Sequence, residues 1–129
     1  MRELLVLLLI GIVLVVKPLA VCAVEKEPVR HVVVFKYKQG TTEEQIRQVT
    51  NAFRDLKNTI PGIVSFEYGV NNSPEVKNHG FTHVYLLTFV DAKARDTYLP
   101  HPEHKKFGAL LAKLGILEDV FVIDYAPKN

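Results

Sequence analysis

The stretch that most constrains this chain is Arg30 to Tyr37, RHVVVFKY. Three successive valines, Val32, Val33 and Val34, put β-branched side chains on both faces of any strand they form. A strand with one solvated face would alternate apolar and polar residues. This one needs cover on both sides, helices on one face of a sheet and further apolar surface on the other. A chain of 129 residues suits one domain, so the rest of it must supply that cover.

The remaining elements follow in order. Thr42-Glu43-Glu44-Gln45 fits a capping box. Ile46, Val49, Phe53, Leu56 and Ile60 then recur at helical spacing, and Pro61-Gly62 ends the helix. From Ile63 to Val70, Ser65, Glu67 and Gly69 alternate with Val64, Phe66, Tyr68 and Val70, which predicts a strand. Asn71 to Gly80 is a polar loop, and Thr82 to Phe89 is a third strand with His83, Tyr85, Leu87 and Phe89 on one face. Asp91 caps a short helix through Tyr98, and Pro100 breaks it. Pro102 suits the first turn of a helix that runs to Leu114 and stops at Gly115. Val120 to Tyr125 closes the chain as a fourth strand.

Strand, helix, strand, strand, helix, strand predicts an α+β, ferredoxin-like β-α-β-β-α-β sandwich with a four-stranded antiparallel sheet. Its second helix is expected to be kinked at Pro100. The sheet face without helices is apolar and needs burial. That predicts a homodimer whose two sheets close back to back into a dimeric α/β barrel.

The first residues are set apart from this fold. Leu4 to Val16 is a continuous apolar run, broken by Lys17 and followed by Val21-Cys22-Ala23. The pattern reads as a signal peptide over residues 1–23, cleaved after Ala23. The run is shorter than the roughly 20 residues of an ordinary transmembrane helix. The expected location is periplasmic or secreted, with no stable membrane insertion after cleavage. The alternative is anchoring, by an uncleaved segment or a lipidated Cys22. Residues 24–29 form a flexible lead, 30–126 the domain and 127–129 a tail. Cys22 is the one cysteine, so the cleaved chain has no disulfide.

Several function classes have no basis here. Net charge is +2 with no Lys/Arg stripe, so nucleic-acid binding is not expected. There is no zinc-type cysteine spacing, no phosphate-binding glycine loop and no nucleophile elbow. No metal and no cofactor are implied.

The chemistry concentrates in Gly80 to Lys105, which holds His83, His101 and His104 of the five histidines. His101 and His104 lie one helical turn apart, and Tyr98 joins them if the proline break turns the chain back. Histidine titrates near neutrality and can take and return a proton. Tyrosine can donate a hydrogen bond to a carbonyl or enolate oxygen. The plain structural alternative is a solvent-facing cap histidine at His101 or His104, and core or strand-end histidines at His83 and His31.

HVVVFKYK, PGIVSFEYG, GFTHVYLLTF, YLPHPEHKKF and FVIDY together resemble the stress-responsive dimeric α/β-barrel (Dabb) family from Arg30 to Tyr125. The resemblance implies a homodimer and no single settled activity. One plant member is a polyketide cyclase working by aldol condensation. By that resemblance Tyr98 and His104 match catalytic residues, His31 and His83 match pocket histidines, and His101 supports the local geometry. Phe66, Tyr68, Tyr85 and Leu87 are the expected ligand-binding walls. The expected function is an exported module that binds a small hydrophobic or carbonyl ligand. The alternative is a cyclase-like enzyme with His104 as general base and Tyr98 orienting a substrate oxygen.

Overall fold

The computed structural model describes residues 26–128. The elements are β1 (Val29–Tyr37), α1 (Glu43–Thr59), β2 (Ile63–Val70), β3 (His83–Phe89), α2 (Ala92–Tyr98), α3 (Pro102–Leu114) and β4 (Leu117–Tyr125). The four strands make one antiparallel sheet in the order β2-β3-β1-β4.

Local chemistry sets the helix ends. The Gln45 N–H donates to the Thr42 hydroxyl while the Thr42 N–H donates to the Gln45 side chain, so two orphan donors are satisfied at once. The Asp91 carboxylate accepts from the Ala94 N–H and starts α2. Gly115, at φ 60°, takes the left-handed conformation that ends α3.

The core lies between the helices and one sheet face. Val33 and Phe35 of β1 and Tyr85, Leu87 and Phe89 of β3 meet Val49, Phe53 and Leu56 of α1, Tyr98 of α2 and Phe107 of α3. Full burial of such a side chain is worth about 1.5–3 kcal/mol before entropy is counted. Gly62 lets α2 approach: it sits at φ 92°, and an added Cβ would fall 2.5 Å from the Ala94 Cβ. On the other sheet face Val34 is also buried, beside Val84 and Phe121 of the neighbouring strands and Phe81 of the preceding loop. Cover on this face is partial: Val32 is half-exposed, and β4 leaves Phe121 and Ile123 exposed here and Val120 and Val122 exposed on the helix side.

Two expectations are corrected. The sheet is open, with β2 and β4 at opposite edges, and is not closed into an α/β barrel. Closure requires every strand to have two neighbours, and this strand order leaves two without. The break at Leu99–His101 separates α2 from α3 at the bounds read from Asp91, Pro100 and Pro102. β4 also begins at Leu117, earlier than Val120, since its pairing with β1 continues past a register shift between Lys36 and Tyr37. The expected leader, with Cys22, lies outside the described residues. Among the described residues no helix is long and apolar enough to cross a membrane.

Candidate active site

The α2–α3 turn builds one side of the site. The His101 N–H donates to the Tyr98 carbonyl at 3.0 Å, which folds the chain back after α2. Pro102 opens α3, and His101 caps it by accepting the Glu103 N–H on Nδ1 at 3.2 Å. His104 then reaches back one turn, and its Nδ1 lies 3.0 Å from the Leu99 carbonyl oxygen. A carbonyl only accepts, so His104 donates from Nδ1–H. In the neutral ring Nε2 is left as the acceptor.

Tyr98 is fully buried beneath this turn, and its ring centroid lies 4.2 Å from that of His104. Its hydroxyl has no hydrogen-bond partner among the described residues. Burial pushes the Tyr98 pKa up, and the negative charge of Asp124 adds to the effect. The phenol is therefore protonated at neutral pH and is a donor without an acceptor. Buried polar groups rarely go unpaired, so this hydroxyl is suited to an oxygen brought from outside.

The sheet builds the other side. His31 of β1 and Asp124 of β4 are register partners, and His31 Nδ1 lies 2.6 Å from Asp124 Oδ1. The other carboxylate oxygen accepts from Arg95 Nη1 at 2.5 Å. Burial lowers the His31 pKa, the Asp124 contact opposes that, and His104 and Arg95 add to it. An ionised carboxylate only accepts, so His31 too carries its proton on Nδ1 and is left with Nε2 as an acceptor. The His31 ring meets Tyr98 edge-on at 5.6 Å and Phe89 at 5.9 Å.

His31, Tyr98 and His104 line one cavity of about 350 Å³. Its floor is apolar, with Val33, Phe35, Phe53 and Phe107. Neither lysine nor arginine lines it. Low-dielectric walls strengthen the few polar contacts made inside. Among the described residues no group of three or more His, Cys, Asp or Glu side chains forms a metal cage.

The other expected site residues lie elsewhere. Phe35, the register partner of His83, lies four positions along β1 from His31, a span of about 13 Å. There the Tyr85 hydroxyl bonds those of Tyr37 at 2.9 Å and Thr50 at 3.0 Å. The His83 Nδ1 is 2.8 Å from the Thr82 hydroxyl, and burial lowers the His83 pKa against the raising effect of Glu43. Tyr68 stacks on Tyr85, Phe66 packs on Phe53, and Leu87 is wholly buried. None of these five residues lines the cavity of His31, Tyr98 and His104. His101 shapes the turn without lining it.

Asp124 and Arg95 were not visible as site residues in the sequence. A lone acid in the apolar run VFVIDY was the available signal, and alternation puts it on the same face as Val120 and Val122.

Residues 29–127 match the Stress responsive A/B Barrel Domain (Dabb) family. The chain belongs to that family. The stress-response A/B barrel domain-containing protein HS1 of Arabidopsis thaliana is 35% identical over 104 residues, covering 81% of this chain and 94% of the relative. Olivetolic acid cyclase of Cannabis sativa is 29% identical over 101 residues, covering 78% and 98%. The structure of a hydroxynitrile lyase from Passiflora edulis aligns with a TM-score of 0.71 at 27% identity, covering 80% of this chain and 95% of that one. A dimeric protein of ferredoxin-like fold from Bacteroides fragilis aligns with a TM-score of 0.59 at 27% identity, covering 78% and 96%. This Dabb domain is thus related to a cyclase, to a lyase and to dimeric proteins of the same fold.

Proposed function

We propose that this Dabb domain is an acid–base enzyme acting on a small, largely apolar carbonyl compound. The observation that carries it is the buried, unpartnered hydroxyl of Tyr98, a residue whose ring contacts both His31 and His104 in the lining of an apolar cavity. His104 Nε2 removes a proton from the carbon beside the carbonyl, and the electron pair moves onto the carbonyl oxygen. The Tyr98 hydroxyl donates a hydrogen bond to that oxygen as its charge grows. The enolate carbon then attacks a second carbonyl in the same molecule, as in aldol cyclisation, and the proton on His104 is returned to the new alkoxide. His31 Nε2 accepts a hydrogen bond from a substrate hydroxyl.

The first expectation was a binding module, and the relatives favour the enzyme. One is named for cyclisation and another for cleavage of a hydroxynitrile, and both names fit proton transfer at or beside a carbonyl. Incubation of the purified protein with poly-β-carbonyl compounds, aldehydes and hydroxynitriles, followed by mass spectrometry, tests this. Product that forms faster than in protein-free controls supports it. Binding with no turnover across all three classes returns the module reading.

A homodimer is part of the proposal, with two open sheets meeting through their helix-free faces. Phe121 and Ile123 stand exposed there, and the relative from Bacteroides fragilis is dimeric. Sedimentation that gives a monomer throughout the micromolar range counts against it. Export is likewise proposed, on the Leu4–Val16 run and Val21-Cys22-Ala23. The mass of protein from its native host should begin near Val24, and recovery with residues 1–23 attached would reject cleavage.

A further inference from the structure

We propose that Arg95 is a positioning residue of this site: it anchors the Asp124 carboxylate in the orientation that holds His31 by Nδ1. This rests on the acid–base reading above.

Asp124 divides its two oxygens between two donors. Oδ1 accepts from His31 Nδ1 at 2.6 Å and Oδ2 from Arg95 Nη1 at 2.5 Å. Arg95 is itself held, because its Nε donates to Asp96 of the same helix at 2.7 Å. The anchor is needed because β4 is an edge strand and the Asp124 side chain is 23% exposed. Register alone places the carboxylate beside His31 but does not fix its rotation. The guanidinium of α2 supplies the second contact, and a planar fork suits a carboxylate.

The electrostatics make a second case. His31 faces Asp124 from β4, Arg95 and Tyr98 from α2, His104 from α3, and the uncharged Phe89 from β3. Of these only Asp124 favours the imidazolium, while Arg95 and His104 oppose it. Burial is the strongest check on the imidazolium, and Arg95 adds a smaller one while leaving the hydrogen bond in place. Loss of the arginine would move the ring toward taking a proton at Nε2 and losing that lone pair.

The test is an NMR titration of His31 in the purified full chain, with the resonance assigned by His31→Gln. Arg95→Met should raise the His31 pKa. Arg95→Lys should bring it back toward the parent value. In an Asp124→Asn background Arg95→Met should have much less effect, because the pull it unmasks is gone. Arg95→Gln replaces the Met variant if that one does not fold, with the same upward move expected. An unchanged His31 titration in the uncharged variants would overturn the proposal, as would a rise that persists undiminished with Asp124→Asn. No substrate is needed, so a failure of the enzyme reading shows separately, as absent turnover in the parent protein.

Discussion

The rings of Tyr98 and His104 stand 4.2 Å apart, centroid to centroid, at an angle of 37°, and the buried Tyr98 hydroxyl bonds to nothing among the described residues. The two residues meet because α2 ends at Tyr98 and α3 begins at Pro102, so the short link between them must double back. A buried phenol with no partner is a cost to folding that an inert core would shed.

Removal of that oxygen should therefore not hurt the fold. Tyr98→Phe keeps the ring contacts with His31, Phe89 and His104 and loses only an unsatisfied hydroxyl. Its stability in urea should match the parent or exceed it by about 1 kcal/mol. A loss of more than that would mean the hydroxyl has a partner in the folded protein.

Gly62 should tolerate no side chain. It holds φ 92°, and an added Cβ would press on Ala94 of α2 at 2.5 Å. Gly62→Ala should cost about 1–3 kcal/mol, from the strained backbone and the overpacked contact together. Because α2 carries Tyr98, the variant should also lose activity at temperatures where it remains folded. A melting temperature equal to the parent's would contradict this.

Stability should fall as the solution becomes more acidic than the ordinary histidine pKa of 6.5. Burial lowers the pKa of both His31 and His83 in the folded chain. Above about 6.5 both rings are neutral whether the chain is folded or not, and pH has little effect through them. Below it the unfolded chain takes up protons that the folded chain resists, so the unfolded state gains. The loss continues until pH passes through the lowered folded values. Urea midpoints taken from pH 7.5 down to pH 5 should decline, and His31→Gln with His83→Gln should flatten the slope.

The fold was legible where local chemistry decides it. Thr42 with Gln45, Asp91, Pro102 and Gly115 marked the helix ends that the structure has. The spacing of YLPHPEH made Tyr98 and His104 neighbours on one condition, that the proline break turn the chain back, and it does. Residues paired across the sheet were not legible. Asp124 is 93 positions from His31, and only the β1–β4 register makes them neighbours. Alternation correctly gave His83 the face it shares with Tyr85 and Leu87, but a face does not say how far along the strand a side chain sits. The barrel expectation failed for a similar reason: an apolar sheet face calls for cover, and nothing in it dictates that β2 and β4 close on a neighbour.

In the proposed mechanism His104 moves a proton while Tyr98 holds the oxygen whose charge changes. The direct measurement is kcat for the parent, His104→Ala and Tyr98→Phe on whichever carbonyl substrate the screen yields. Loss of the base should lower kcat by about 10²–10⁴-fold, and loss of the oxygen donor by about 10²–10³-fold. Both variants should remain folded by circular dichroism. Turnover within a factor of a few of the parent in either folded variant would contradict the role assigned to that residue.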